Sequence, residues 1–184
     1  MPTDKPLSFR LEELYQLFGD TTWPRYEVVP AEIVPPPYDR LLVHHEHMTV
    51  TMEAYHGGPV SLRVLARRRQ ESWYGRKILL LRNERVVQFG IMRIHLGMCA
   101  AEVQQAILRE DTPLGHILIR HNVLRYIEPL AFLRLTPDPA LCTWFGLSRP
   151  CETYGRLAAI YCNHLPAVEL FEVSAPVLAD SEAR

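Results

Sequence analysis

The sequence predicts an α+β fold with a single antiparallel β-sheet. Two helical patterns lie in the first 58 residues, three strand-like segments follow from residue 60, and two more helical patterns precede a last group of strands. Helices and strands that are grouped in this way, instead of alternating, are typical of α+β proteins. A chain of 184 residues with 48% apolar content is long enough for one domain whose core encloses a pocket.

Two helices are predicted in the N-terminal third of the chain. Residues 8–18 form the first by their apolar periodicity, with Ser8 as its cap. The second covers residues 40–58, "RLLVHHEHMTVTMEAYHGG", whose apolar residues recur on one face and which Asp39 can cap. The segment between them, 20–37, holds five of the 15 prolines and is therefore predicted to be an extended connector.

Strands dominate the region after residue 60. The segments "VSLRVLARR", "SWYGRKILLLR" and "RVVQFGIMRIHL" predict three consecutive antiparallel strands, with a tight turn at Asn83-Glu84 between the second and the third. Further along, residues 123–135 also have the alternation of a strand. Within that strand Pro129 requires either a bulge or an edge position, because proline cannot donate a ladder hydrogen bond.

Helices and loops separate these strands from a final pair. Apolar periodicity predicts helices over 99–110 and 113–121. Residues 136–150 are predicted to form a loop. A last hairpin is expected to pair a strand at 154–162 with one at 167–175.

The composition argues against several classes of protein. With 20 basic and 21 acidic residues, the net charge of −1 favours neither a nucleic-acid partner nor an anionic membrane surface. The sequence has no apolar run of the ~18–20 residues that a membrane span needs, and its first residues lack the layout of a secretory signal. Its four cysteines form no C-x-x-C pair. We therefore expect a cytoplasmic protein without a membrane span or a metal site.

Two charged residues stand out within apolar strands. Arg76 lies in "WYGRKILLL", where it can face solvent, form an internal salt bridge, or grip the carboxylate of a ligand. Glu172 shares one face of the last strand with apolar residues, and Glu169 lies on the other face. A carboxylate on the same sheet as a buried arginine can be its ion-pair partner or the second pole of a polar ligand site.

Four segments of this chain resemble the chorismate pyruvate-lyases, which make 4-hydroxybenzoate from chorismate. They are "LLVHHEHMT" with Met48, "GRKILLL" with Arg76, "DTPLG" with Leu114, and "HLPAVELFEVSAP" with Glu172. The resemblance covers residues 38–176. It implies a single antiparallel sheet whose helical flaps cover a buried aromatic product. It also implies that Met48 and Leu114 wall the pocket, that Arg76 binds the ring carboxylate, and that Glu172 meets the oxygen on the far side of the ring.

The sequence departs from the family pattern in two places. The family glutamate usually follows a threonine and precedes "xFLP", whereas this chain has Phe171-Glu172-Val173, so that Glu169 stays an alternative. A second family arginine follows the strand with "QFG", and Arg93 is its nearest counterpart here.

The segment "DTPLG" is expected to be part of the lid that the resemblance implies. Thr112 can cap a short helix that begins at Pro113, because proline suits the first helical position. Leu114 would then point inward over the bound ring, and Gly115 would permit a close approach.

The resemblance implies a carbon–oxygen lyase that eliminates pyruvate from chorismate with Arg76 and Glu172 as catalytic groups and without a metal or an organic cofactor. Two alternatives remain: a non-catalytic protein that binds small aromatic acids on the same fold, and a related enzyme that acts on another cyclic substrate. On this basis the chain divides into an N-terminal helix and proline-rich arm (1–37), a chorismate lyase-like domain (38–176) and a flexible tail (177–184).

Overall fold

The computed structural model describes residues 9–177 and confirms the predicted α+β fold. Within this range the strands are β1 (Arg25–Val29), β2 (Ser61–Arg69), β3 (Tyr74–Arg82), β4 (Arg85–Ile94), β5 (Arg125–Thr136), β6 (Thr153–Cys162) and β7 (Leu165–Ser174). The α-helices are α1 (Leu11–Gln16), α2 (Tyr38–Leu42), α3 (Met48–His56), α4 (Ala101–Arg109), α5 (Leu114–Arg120) and α6 (Pro139–Phe145). All seven strands form one antiparallel sheet in the order β1-β5-β6-β7-β4-β3-β2.

Two-residue turns close the hairpins β3–β4 and β6–β7. The first is the predicted turn at Asn83-Glu84, with φ angles of 47° and 65°. The second is at Asn163-His164, with φ angles of 51° and 66°. Two consecutive positive φ angles match the right-handed twist of the flanking strands, which is why such turns connect hairpins. The second turn is shorter than predicted, and β7 begins at Leu165, two residues earlier than expected.

The proline-rich segment contributes an edge strand to the sheet. Segment 20–37 is extended as predicted over its first part, where β1 pairs with the C-terminal half of β5, but it then forms a short 3-10 helix at Ala31–Ile33. Part of the predicted N-terminal arm therefore belongs to the same sheet as residues 38–176. Strand β5 lies between two other strands, and its register shifts between Pro129 and Ala131, which is the bulge that the proline required.

Helix α6 lies where the sequence analysis expected only loop. The side chain of Asp138 accepts a hydrogen bond of 2.8 Å from the backbone nitrogen of Leu141, and Pro139 occupies the first turn. Gly146 ends the helix in the left-handed conformation, with a φ of 67°. The prediction of a loop over 136–150 was wrong because an Asp-Pro start and a glycine stop suffice for a two-turn helix.

The prediction of one helix over 40–58 was also wrong. The chain forms α2, leaves the helical conformation at residues 43–47, and begins again as α3. The guanidinium of Arg156 accounts for this break, since it donates hydrogen bonds to the carbonyl oxygens of Leu42, His44 and Glu46. A tertiary interaction thus overrides the local helical periodicity.

One face of the sheet packs against α1 and α6 and carries its own ion pairs. Lys77 pairs there with Asp20, and its ammonium group lies 5.3 Å and 5.0 Å from the ring centres of Tyr15 and Phe18. The core on this side is built from residues of the strands and the two helices, with Leu11, Leu14, Leu79, Phe89, Ile91, Leu141 and Phe171 among them. The opposite face, which we call the cavity face, packs against α3 and α5.

Some expectations concern residues outside the described range. The predicted cap Ser8 and most of the predicted tail, 178–184, fall there. Among residues 9–177, no helix is both long and apolar enough to cross a lipid bilayer.

Candidate ligand-binding cavity

The strand register places Arg76 and Glu172 on the same face of the sheet. Directly opposed residues of antiparallel strands carry their side chains on one face. Arg76 of β3 opposes Met92 of β4, and Met92 opposes Leu170 of β7. Glu172 lies two residues from Leu170 and therefore points to the same face. Two interstrand spacings, ~10 Å, separate the strands that carry the two charges.

Glu169, the alternative to Glu172, lies on the opposite face. Its carboxylate pairs with Arg93, which opposes it in β4. Neither residue belongs to the cavity face. Arg93, the nearest counterpart of the second family arginine, is therefore an ion-pair partner of Glu169 and does not line the cavity.

A cavity of roughly 30 Å³ lies between the cavity face and helices α3 and α5. Met48 and Leu114, the two residues expected to wall a pocket, lie in its lining together with Glu172. The full lining consists of His47, Met48, Thr49, Ile78, Leu80, Gln88, Met92, Pro113, Leu114, Gly115, Ile160, Leu170 and Glu172. Arg76 lies just behind this lining, where its Nε donates a hydrogen bond of 3.4 Å to the thioether of Met92.

Gly115 allows the two cover helices to meet. A Cβ atom at this position would lie 2.9 Å from Cβ of His47 and 3.1 Å from Oγ1 of Thr49. Contacts below 3 Å force one of the groups to move, so a side chain here would separate α5 from α3. The close approach expected of this glycine is therefore made to the neighbouring helix.

The start of α5 differs from the predicted cap. The helix begins at Leu114, with Pro113 as its N-cap. The hydroxyl of Thr112 donates to the carboxylate of Asp111 over 2.7 Å and does not cap the helix. The predicted cap was wrong because Pro113 has the extended backbone of an N-cap, with φ −57° and ψ 143°, instead of helical angles.

Arg76 is the most unusual residue of the cavity face. Its side chain is fully buried, at 0% exposure, and within residues 9–177 its two terminal nitrogens have no hydrogen-bond partner. Burial lowers the pKa of Arg76, while the nearby Tyr74 and Glu110 favour its charged form. Arginine keeps its charge in proteins, so this guanidinium has two buried nitrogens with hydrogen-bonding capacity that an anion could use.

Tyr74 and Glu110 form a second polar group beside Arg76. The hydroxyl of Tyr74 donates to the carboxylate of Glu110, which follows α4. Burial and this hydrogen bond raise the pKa of Tyr74 above its usual range. Glu110 also forms a 3.3 Å salt bridge with Arg67, whose backbone pairs with that of Arg76. This group holds the end of α4 next to the Arg76 guanidinium.

Arg156 and Glu172 form a buried ion pair on the cavity face. The Nε of Arg156 donates to Glu172 over 2.8 Å, and the two residues oppose each other in β6 and β7. The remaining donors of Arg156 reach the carbonyls of Leu42, His44 and Glu46 at 3.2, 2.9 and 3.1 Å. Burial raises the pKa of Glu172, while Arg156 and Gln88 act in the opposite direction.

His47 lies between the buried cavity and an open cleft of roughly 420 Å³. The cleft is lined by His45, Glu46, His47, Arg125, Tyr126 and Ile127. The Nε of Arg125 donates to Nε2 of His47 over 2.8 Å, which requires a neutral imidazole. Burial and the positive charge of Arg125 lower the pKa of His47 to about 4. A ligand that enters through this cleft must displace His47.

The sequence analysis missed three residues of this site: Arg156, Gln88 and His47. Arg156 carried a detectable signal, because it follows Tyr-Gly in an apolar strand just as Arg76 does. Gln88 is polar within the apolar run of β4, which was a weaker signal. The sequence analysis placed His47 inside a continuous helix. Its actual position, at the break before α3, depends on the hydrogen bonds of Arg156 and could not be predicted from the local pattern.

Comparisons with known proteins support the fold. No protein-family model and no curated protein sequence matches this chain. Solved structures match the fold of this chain. The structure of PhnF from Mycobacterium smegmatis matches with a TM-score of 0.52 at 9% identity, over 77% of this chain and 72% of that one. The ligand-binding domain of a protein described as a GntR-family transcriptional regulator, from Bordetella bronchiseptica, matches with a TM-score of 0.50 at 11% identity, over 66% of this chain and 86% of that one.

At these identities the likeness shows the fold. It fits the chorismate lyase-like fold that the sequence resemblance implied, with one antiparallel sheet and helices packed against it. No sequence comparison identifies the chain as a chorismate lyase.

Proposed function

We propose that this chain binds a small organic anion, with its carboxylate on Arg76, under the cover formed by α3 and α5. The observation that carries this proposal is the fully buried guanidinium of Arg76, whose two terminal nitrogens bond to no group within residues 9–177. Buried donors that make no hydrogen bond are unfavourable, whereas a carboxylate forms two parallel hydrogen bonds with such a fork.

The fold and the lining support a binding function. One solved structure with this fold is described as a ligand-binding domain. The lining is mostly apolar, with a few convergent polar groups, which is the composition of small-molecule sites. These features support the alternative that the sequence analysis left open, a non-catalytic protein that binds small aromatic acids.

Binding of a ring requires the cover to move. The closed cavity, at roughly 30 Å³, has room for about one water molecule, whereas a cavity that holds benzene measures about 150 Å³. Met48 and Met92 line the cavity, and methionine repacks more easily than other large apolar side chains. Displacing Met92 would also uncover Arg76.

Calorimetric titration and thermal unfolding with 4-hydroxybenzoate test the proposal. Ligand at about 100 times its Kd is expected to stabilise the protein by about 2.7 kcal/mol. Arg76→Met should abolish both signals, since it removes the anion contact. Arg63→Met is the matched control, because Arg63 is an exposed arginine of the neighbouring strand β2. If Arg76→Met binds the acid as tightly as the unchanged protein, the proposal is wrong.

A lyase is the second candidate function, and the buried carboxyl of Glu172 favours it. Burial raises the pKa of Glu172, which suits a group that donates or accepts a proton near neutral pH. Loss of pyruvate from chorismate would then need Arg76 to hold the ring carboxylate and Glu172 to assist proton movement. The ion pair with Arg156 opposes this role, because it favours the carboxylate form of Glu172.

Pyruvate release separates the two candidates. Incubation with chorismate and detection of pyruvate by lactate dehydrogenase would give a signal only for the lyase. Glu172→Gln should remove that signal. Stabilisation by 4-hydroxybenzoate without pyruvate release would leave the binding function alone.

A further inference from the structure

We propose that Gln88 determines which anion the cavity accepts: a monoanion that carries a neutral hydrogen-bond donor at the end opposite its carboxylate. This inference rests on the proposed function, since it takes the carboxylate on Arg76 as given. It assigns a residue for the second end of the ligand, where the sequence resemblance pointed to Glu172.

Gln88 is a buried amide with one unused atom. Its side chain is 2% exposed and lines the cavity. Gln88 is a diagonal neighbour of Glu172 across β4 and β7, and its amide favours the charged form of that carboxyl. An amide has this effect when its NH₂ group is turned towards the carboxylate, which leaves its oxygen directed elsewhere. Its oxygen, Oε1, accepts no hydrogen bond from any residue between 9 and 177.

The register places Gln88 and Arg76 at different ends of the cavity face. Arg76 opposes Met92, and Gln88 lies four residues before Met92 on the same strand, β4. Gly90 stands between Gln88 and Met92, and the side chain of Ile78 lies against it, with Cγ1 3.4 Å from the position of a Cβ. A ligand held by Arg76 that runs along β4 and packs against Ile78 therefore directs its far end at Gln88.

Arg156 gives no second anion site. Four hydrogen bonds, to Glu172 and to the carbonyls of Leu42, His44 and Glu46, use four of the five N–H donors of its guanidinium. Its charge is already balanced by Glu172 at 2.8 Å. A second carboxylate at this end would meet the carboxylate of Glu172 and the oxygen of Gln88, both of which repel it.

A neutral donor at this end has the opposite effect. A hydroxyl or amino group would donate to Oε1 of Gln88, a buried acceptor whose unmade hydrogen bond is unfavourable in the empty protein. Sites built to hydrogen-bond a ligand hydroxyl discriminate strongly against analogues that lack it, because the buried protein group then stays without a partner.

Three probes measure this preference by calorimetric titration. Benzoate has the carboxylate alone, 4-hydroxybenzoate adds a donor, and terephthalate adds a second negative charge at the same position. We expect 4-hydroxybenzoate to bind at least about tenfold more tightly than benzoate, and terephthalate to bind at least about tenfold more weakly than benzoate.

Two variants assign the preference to Gln88. Gln88→Met keeps the length of the side chain without the amide, and should bring the Kd for 4-hydroxybenzoate to within about threefold of that for benzoate. Gln88→Asn keeps an amide but places it one methylene farther from the ligand. The site stays polar, and the preference for 4-hydroxybenzoate over benzoate should be reduced. The preference is read within each variant as the ratio of the two Kd values, so that a change in cavity packing that affects both acids alike does not alter it.

The possible failures are distinguishable. If none of the three acids binds, the proposed function fails. If benzoate binds but 4-hydroxybenzoate has the same Kd, or if Gln88→Met and Gln88→Asn both retain the full preference, the assignment to Gln88 is overturned while carboxylate binding stands. Tight binding of terephthalate would overturn the restriction to monoanions.

Discussion

Arg76 and Arg156 occupy the same local sequence, Tyr-Gly-Arg, and the same face of the sheet, but their surroundings differ completely. Arg156 donates to a carboxylate and to three carbonyl oxygens. Arg76 donates only to a thioether among the described residues. Arg156 therefore stabilises the ligand-free fold, whereas Arg76 keeps unused donors that the proposed ligand would bind.

Replacing each arginine by methionine should have effects of opposite sign. Arg76→Met is expected to raise the free energy of unfolding of the ligand-free protein by about 1–3 kcal/mol, because an apolar side chain replaces a buried guanidinium whose two terminal nitrogens make no hydrogen bond among residues 9–177. Arg156→Met should lower it by about 3–5 kcal/mol, because Glu172 is left buried without its cation. Urea unfolding at neutral pH measures both. A loss of stability in Arg76→Met would mean that its guanidinium makes favourable contacts in the empty protein.

His47 should make the protein sensitive to acid. Its pKa is lowered to about 4 in the folded state, by burial and by Arg125, from 6.5 in the unfolded chain. Between these values the unfolded chain binds a proton that the folded protein does not, so stability present above pH 6.5 is lost as the pH falls towards 4. The loss at pH 4.5 should be about 2 kcal/mol.

The variant His47→Gln isolates this contribution, since glutamine can accept the same hydrogen bond from Arg125 and does not titrate. The change in unfolding free energy between pH 7.5 and pH 4.5 should be smaller in His47→Gln than in the unchanged protein, by about the same 2 kcal/mol. Equal changes in the two proteins would refute the assignment to His47.

At the level of elements, hairpins and amphipathic helices were predictable, and breaks imposed by distant residues were not. The strands β2 to β4 and the turn at Asn83-Glu84 follow from alternation and turn chemistry that act locally. The interruption between α2 and α3 depends on Arg156, which lies more than 100 residues away in the chain. Helix α6 was different, because Asp138, Pro139 and Gly146 gave a local signal that a loop-rich composition obscured.

The contact between α3 and α5 should depend on Gly115. In Gly115→Ala the new methyl group would overlap His47, so we expect a destabilisation of about 1–3 kcal/mol and faster release of a bound acid. Gly97→Ala is the matched control, because a Cβ at Gly97 meets nothing within 4 Å, and its effect should stay within about 0.5 kcal/mol. Stopped-flow dissociation and urea unfolding measure the two effects. Equal stabilities in the two variants would contradict tight packing at Gly115.

For the whole molecule, the sheet separates the face that packs against α1 and α6 from the face that carries the candidate site. The face with α1 and α6 contains paired charges, Lys77 with Asp20 and Arg93 with Glu169. The cavity face contains Arg76 and Gln88. Buried polar atoms of these two side chains have no hydrogen-bond partner among residues 9–177, and the sequence pattern could not reveal this. A sequence shows that Arg76 is charged and lies in a strand, but only the three-dimensional arrangement shows how many of its donors are used.

This separation predicts an uneven response to ligand. Saturation with 4-hydroxybenzoate should slow amide hydrogen exchange in the cover helices, 48–56 and 114–120, more than in α1, 11–16, because the ligand packs directly beneath the cover. Exchange followed by mass spectrometry resolves the three segments. Protection that is equal in all three would indicate a general stabilisation without a site at the cavity face.

The bonds of Arg156 also determine which side of the cover acts as the hinge. They fasten the chain immediately before α3 to the centre of the sheet, through carbonyls at 42, 44 and 46. The polar contacts of helix α5 are fewer: His116 contacts Glu53 at 3.0 Å, and the buried residues of the helix are apolar. We therefore expect the cover to open at α5 while α3 stays on the sheet. Substitutions in α5, such as Gly115→Ala, should then change the rates of ligand binding and release, followed by stopped flow, more than substitutions in α3 do.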